Sequence, residues 1–182
     1  ATCVRLPVSK DELGRPPARG LKGPMVYARL LLPDRVDNGR VIYIDCDFLV
    51  LTDLSRLHEM PMGEYLVLAA RDSMVGSLAA DCPRKLPPGV DGSAPYFNSG
   101  LLVFDVLAWR EASVAPRAFG ILEEDGARCT YWDQTALNFV LAGRVGLLDR
   151  GWNFPNRGFA IEQAGTEVSA VHYVDRNKPW LQ

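Results

Sequence analysis

The stretch VIYIDCDFLVL, residues 41–51, decides how the rest of the chain is read. Two carboxylates, Asp45 and Asp47, stand one residue apart inside an otherwise apolar run. Burying a charge is costly unless it is paired or bound to a metal. Successive side chains of a strand point to opposite faces, so Asp45 and Asp47 are expected to point one way and Cys46 the other. Neighbouring carboxylates repel, which raises a pKa or demands a cation. A hard divalent ion takes oxygen ligands of this kind. The acids follow the apolar residues 41–44 and therefore belong at the C-terminal end of a strand, where open α/β sheets bind their ligands. A D-x-D pattern by itself also fits a helix cap or a turn, and both readings stay open at this point.

Around that stretch the chain reads as one domain. Its 182 residues are 48% hydrophobic and 23% charged, enough to bury a core. Net charge is −2, from 20 Lys and Arg against 22 Asp and Glu, so no basic excess points to nucleic acid or to an anionic membrane surface. No apolar run approaches the roughly 20 residues that span a bilayer. The first residues, ATCVRLPVSKDELGRPP, show no signal-peptide core. Cys3, Cys46, Cys82 and Cys129 are far apart with no C-x-x-C pair, which reads as reduced thiols in a cytosolic protein.

Pro24 is placed to open a helix over MVYARLLL that Pro33 closes. Asp53 and its neighbours are expected to start a helix over residues 52–57, and residues 66–70 form a second apolar strand. Residues 81–95, with prolines and glycines throughout, predict an irregular loop. Residues 97–104 resume as a strand, and 107–125 as a helix stopped by Gly126. Thr130–Asp133 resembles a capping box for a following helix in which Leu137, Val140 and Leu141 share a face. Residues 145–148 and 168–174 complete the strands. Alternating apolar strands and helices predict an α/β fold with a largely parallel central sheet covered on both faces.

Four segments then act together: YARLLLPDRVDNGRVIYIDCDFLVLTDLSRL (27–57), YFNSGLLVFDVLAWRE (96–111), YWDQTALNFVLAGRVGLLDRGWNFPN (131–156) and VHYVDRNKPW (171–180). In order and spacing they resemble the family 8 glycosyltransferases, which include lipopolysaccharide galactosyl- and glucosyltransferases and glycogenin. The resemblance implies a GT-A (Rossmann-like) fold, a mixed, mostly parallel sheet flanked by helices. It implies transfer of a hexose from a UDP-sugar to a glycan or lipopolysaccharide-type acceptor, with the α-linkage retained. Asp45, Asp47 and His172 would hold Mn²⁺ or Mg²⁺. Arg29, Asp45, Asn98, Asp133, Gln134 and Lys178 would bind the donor, with Gln134 and Asp133 at the reacting carbon. Trp152 either stacks on a sugar or packs in the core. The implied partners are a UDP-hexose and a glycan or lipid-linked saccharide, with peripheral membrane association allowed and no nucleic acid. The implied setting is the bacterial cytoplasm or the inner face of the membrane.

Two departures from the family pattern stand out. The resemblance begins after the family's first β-α-β-α-β portion, whose loop holds the uridine. The expectation is therefore a single family 8 domain over 1–182 that lacks this portion, either a fragment or a truncated relative with exposed apolar surface. In H-x-x-G-x-x-K-P-W, Asp175 stands where the family has glycine. Both leave a non-catalytic sugar-nucleotide or glycan-binding remnant as the alternative. A phosphoesterase, which D-x-D alone permits, is disfavoured by N-S-G, D-Q and the His-to-Lys spacing.

Overall fold

The computed structural model describes residues 3–9, 11–12, 24–81, 86, 88–126, 129–156, 165–175 and 178–181. Two mixed sheets form its frame. Strands β1 (Arg40–Ile44), β3 (Val67–Arg71), β4 (Phe97–Asp105) and β5 (Val145–Leu148) make a four-stranded sheet in the order β1-β4-β3-β5. Strands β2 (Phe48–Val50), β6 (Phe154–Pro155) and β7 (Ala170–His172) make a three-stranded sheet in the order β2-β7-β6. Helices α1 (Ala28–Leu31), α2 (Ser55–His58), α3 (Leu78–Asp81), α4 (Val106–Glu111), α5 (Val114–Asp125) and α6 (Asp133–Val140) flank them.

The mixed α/β architecture is as expected, but the main sheet is not mostly parallel within the described residues. Strand β4 runs antiparallel to both of its neighbours, β1 and β3, and only β3 and β5 pair in parallel. A strand buried on both faces is apolar throughout whichever way its neighbours run. Along β4, Leu102 and Phe104 enter one core with Trp109, Leu137 and Val140, while Leu101 and Val103 enter another with Leu57 and Trp152. The sheet is thus covered on both sides.

Three helical expectations are corrected. The helix begun by Pro24 is a 3-10 turn, a single α turn and a second 3-10 turn that contains Pro33. The helix over 107–125 is two helices, parted where Ser113 takes a left-handed backbone at φ 51°. The capping box at α6 does not form. The Thr130 hydroxyl donates to the Asp81 backbone carbonyl, and Trp132 precedes the helix at φ 52°. Of the expected loop 81–95, Asp81 ends α3 and Ala94 is buried, while 82–85 and 87 lie outside the described residues.

Leu49, Leu51 and Leu147 are exposed. No disulfide joins the described cysteines Cys3, Cys46 and Cys129, and Cys82 lies outside the described residues. No helix among the described residues is long and apolar enough to cross a membrane.

Candidate active site

The apolar run 41–51 is two strands in two different sheets, with the acids in the turn between them. The Asp45 amide donates to the Gly100 carbonyl at 2.8 Å, in line with β1 on β4. The Tyr173 amide donates to the Asp47 carbonyl at 2.9 Å, in line with β2 on β7. Asp45 and Asp47 are therefore turn residues rather than strand residues, yet they face one cavity, and Cys46 is exposed. That cavity, of about 490 Å³, is also lined by Arg29, Asn98, Asp133, Gln134, His172 and Lys178, so every site residue picked out in the sequence meets there.

Arg29 ties the first half together. Its Nη1 donates to the Ser99 carbonyl and, at 2.8 Å, to Ser99 Oγ. Its Nη2 lies 3.0 and 3.3 Å from the two Asp45 oxygens. Its Nε makes an ion-pair contact of 2.9 Å with Asp133 Oδ2. Burial alone would lower the Arg29 pKa, but Asp133 and Asp45 outweigh it and raise it, so the guanidinium stays charged. Its plane lies 4.8 Å over Tyr43, whose hydroxyl donates to Asp45 and whose pKa burial drives up.

Asp47 anchors the second half. Its oxygens lie 3.3 Å from His172 Nε2 and 2.6 Å from Lys178 Nζ. Burial pushes Asp47 up, but His172 and Lys178 overcome it and hold the carboxyl well below the usual range.

An amide relay fixes the imidazole. The Gly100 N–H donates to Asn98 Oδ1, so that atom is the oxygen and Asn98 Nδ2 donates to Asp72 Oδ2. Asn153 Nδ2 also donates to Asn98 Oδ1, at 2.9 Å. The remaining Asn153 oxygen then faces His172 Nδ1 at 2.9 Å and must accept from it. In the neutral ring the lone pair is thus on Nε2, facing a carboxylate oxygen. Two acceptors in contact require a positive charge between them, either a proton or a cation. Metal-binding histidines are oriented by such an Nδ1–H bond.

Asp45, Asp47 and His172 each offer a ligand atom, and these lie within 4.8 Å of one another. Among the described residues, the cavity lining holds Asp45, Asp47, Asp72, Asp133 and Asp175 against Arg29 and Lys178. That negative excess also calls for a cation. The donor set fits a divalent ion.

Two residues were missed in the sequence. Asp72 accepts from the Met74 and Val75 amides with Oδ1 and from Asn98 and Gln134 with Oδ2. Asn153, which follows Trp152 in the third segment, orients His172. Trp152 is buried in the core, which settles its two readings in favour of packing. The Gln134 carbonyl accepts from the Ser99 amide at 3.0 Å, and Asp175 lines the same cavity.

A family model described as "Glycosyl transferase family 8" matches residues 12–182. General stress protein A of Bacillus subtilis (strain 168) is 33% identical over 172 residues, covering 85% of this chain and 58% of that protein. Glycosyltransferase GlyE of Streptococcus pneumoniae serotype 4 is 25% identical over 170 residues, covering 87% of this chain and 37% of that protein. The crystal structure of GlyE matches with a TM-score of 0.67 at 25% identity, over 87% of this chain and 39% of that one. Galactosyltransferase LgtC, solved with donor and acceptor sugar analogs, shares the fold at a TM-score of 0.70 and 24% identity, over 87% of this chain and 61% of that one. The chain spans less than two thirds of the length of these relatives.

Proposed function

The chain belongs to glycosyl transferase family 8, and from that premise we propose that it moves a hexose from a UDP-sugar to a hydroxyl of a glycan or lipid-linked saccharide, retaining the α-linkage. The single observation that carries this reading is the convergence of Asp45, Asp47, His172, Lys178, Arg29 and Gln134 on one cavity. We take residues 12–182 as belonging to one domain of this family.

Asp45, Asp47 and His172 would hold Mn²⁺ or Mg²⁺. When bound, such an ion neutralises the charge that grows on a departing diphosphate. Lys178 supplies a second, mobile positive charge on the same side, because its Nζ sits on Asp47 at 2.6 Å. Arg29 aligns Asp45 and Asp133. Asn98 and Gln134 each donate one amide N–H to Asp72, which holds both amides at the cavity wall.

Positive charge develops at the anomeric carbon as the bond to phosphate breaks. Neither candidate nucleophile is poised to trap it. The Gln134 carbonyl accepts from the Ser99 amide, and Asp133 is buried against Arg29. The acceptor hydroxyl therefore attacks from the face the phosphate leaves, and the phosphate takes its proton. Isolation of a glycosyl adduct on Asp133 or Gln134 would overturn this route.

The test is release of UDP from a panel of UDP-hexoses with Mn²⁺ and no acceptor. Release that disappears in Asp47→Asn and His172→Ala supports the transferase. Asp175, a further carboxylate facing the cavity, favours the second reading, a binding remnant. Donor binding without release would support the remnant, and absence of donor binding with or without metal would sink the transferase reading.

A further inference from the structure

Asp47 is placed to serve two cations. Its Oδ1 lies 3.3 Å from His172 Nε2, and its Oδ2 lies 2.6 Å from Lys178 Nζ. The same carboxylate offers a ligand atom to the cluster with Asp45 and His172. An ion held by that cluster therefore shares one carboxylate with an ammonium, and two positive charges that meet on one carboxylate repel. The side chains of Lys178 and Asp47 are only 20% and 22% exposed, so solvent and salt screen the repulsion in part. Nor is Lys178 a loose surface charge. Its Nζ also donates to the Tyr173 carbonyl, and the Tyr173 amide donates to the Asp47 carbonyl at 2.9 Å. Pro179 opens the 3-10 turn Pro179–Leu181, the Leu181 amide donates to the Lys178 carbonyl at 3.0 Å, and Trp180 meets the Tyr173 ring edge-on at 6.3 Å. The backbone that carries Lys178 is thus fastened to the residue that follows His172.

We propose that Lys178 couples ion binding to diphosphate binding: its ammonium weakens the hold of Asp45, Asp47 and His172 on a divalent ion by itself, and a diphosphate entering the cavity lifts that penalty. The inference rests on the glycosyl-transfer reading of this cavity and adds a regulation of it. Lys178 lines the cavity together with all three ligands. A diphosphate there offers negative charge to the ion and to the ammonium at once, so their mutual repulsion gives way to a shared attraction. Coupling of this kind is reciprocal, and the ion tightens the diphosphate by the same factor. A site so arranged takes up its ion chiefly together with the donor. The sign of the effect separates this role from that of a mere support. Losing a support weakens the binding of a lone ion, whereas losing a repelling charge strengthens it.

The experiment is calorimetric titration of the chain with Mn²⁺, first alone and then with inorganic pyrophosphate in a metal buffer that fixes free Mn²⁺. Lys178→Gln and Lys178→Met remove the charge, and Lys178→Arg keeps it. The expected result without pyrophosphate is that the Gln and Met variants bind Mn²⁺ roughly tenfold more tightly than the unmodified chain, while the Arg variant does not. Pyrophosphate should then strengthen Mn²⁺ binding roughly tenfold more in the unmodified chain than in Lys178→Gln. Urea unfolding of each variant separates altered affinity from altered folding. Lone Mn²⁺ binding that is unchanged or weaker in Lys178→Gln and Lys178→Met would overturn the inference and leave the metal site standing. An equal effect of pyrophosphate in all the chains would overturn it too. No Mn²⁺ binding by the unmodified chain would overturn the metal site and the inference together. Coupling that is present while no UDP-hexose releases UDP would count against the transferase reading and leave the role of Lys178 standing.

Discussion

A methyl group at Gly100 tests how the imidazole is held. Built on the Gly100 backbone, a Cβ falls 2.6 Å from His172 Cε1 and 3.0 Å from both Asn98 Oδ1 and Phe48 Cε2. Non-bonded carbons prefer about 3.5–4.0 Å, so the overlap with the ring is on the order of 1 Å. The ring has nowhere to retreat. Phe48 stacks on it at 4.1 Å, and Asn153 holds its Nδ1. Gly100→Ala should therefore destabilise the fold by about 1–3 kcal/mol through overpacking. Displacing a ligand or its support lowers metal affinity by roughly 10–100-fold, and the same is expected for Mn²⁺ here. Calorimetric Mn²⁺ titration and urea unfolding of the same preparation read the two effects. Stability lost with Mn²⁺ affinity unchanged would refute His172 as a ligand. Stability unchanged would refute the tight packing.

Two further outcomes are expected. Asn153→Leu removes the acceptor that fixes His172 Nδ1–H, and Mn²⁺ affinity measured by titration should fall roughly 10–100-fold; an unchanged affinity would show that the relay does not orient the ring. Asp81 is pushed up by burial, ahead of the Thr135 hydrogen bond that lowers it, so its folded pKa lies above its unfolded value. The stability linked to it is full below about pH 4 and fades as pH rises through the folded pKa. Asp81→Asn, which carries no charge, should gain in Tm over the unmodified chain on going from about pH 4 to about pH 8. A Tm difference that stays constant with pH would contradict the assignment.

The strands were legible because their apolar runs are unbroken, and residues 66–70, 97–104 and 145–148 lie close to β3, β4 and β5. Direction was not legible, because Leu101 to Phe104 are buried on both faces whichever way β1 and β3 run. The break at Asp45–Asp47 was hidden for a related reason: VIYI and FLVL are equally apolar, and only the hydrogen bonds to Gly100 and from Tyr173 assign them to different sheets. Residues of the site that carry unusual chemistry in the sequence, such as the paired acids, came to notice early. Asp72 did not, because at the end of a strand it looks like an ordinary turn acid, and its partners Asn98 and Gln134 are 26 and 62 residues away. The helix break at Ser113 did carry a signal that went unread: Pro116 belongs in the first turn of a new helix and not inside a continuous one.

Because β1 belongs to one sheet and β2 to the other, an ion held by Asp45, Asp47 and His172 would be a gauge of how well the two sheets are aligned. Binding that requires the aligned state stabilises that state by mass action, and the same linkage makes affinity fall as alignment is lost. The contacts that set the alignment lie outside the ligand set: Leu57, Leu101, Val103 and Trp152, with Ile44 and Phe48 packed against them. Changes in that cluster would thus register first as weaker metal binding, ahead of any loss of secondary structure.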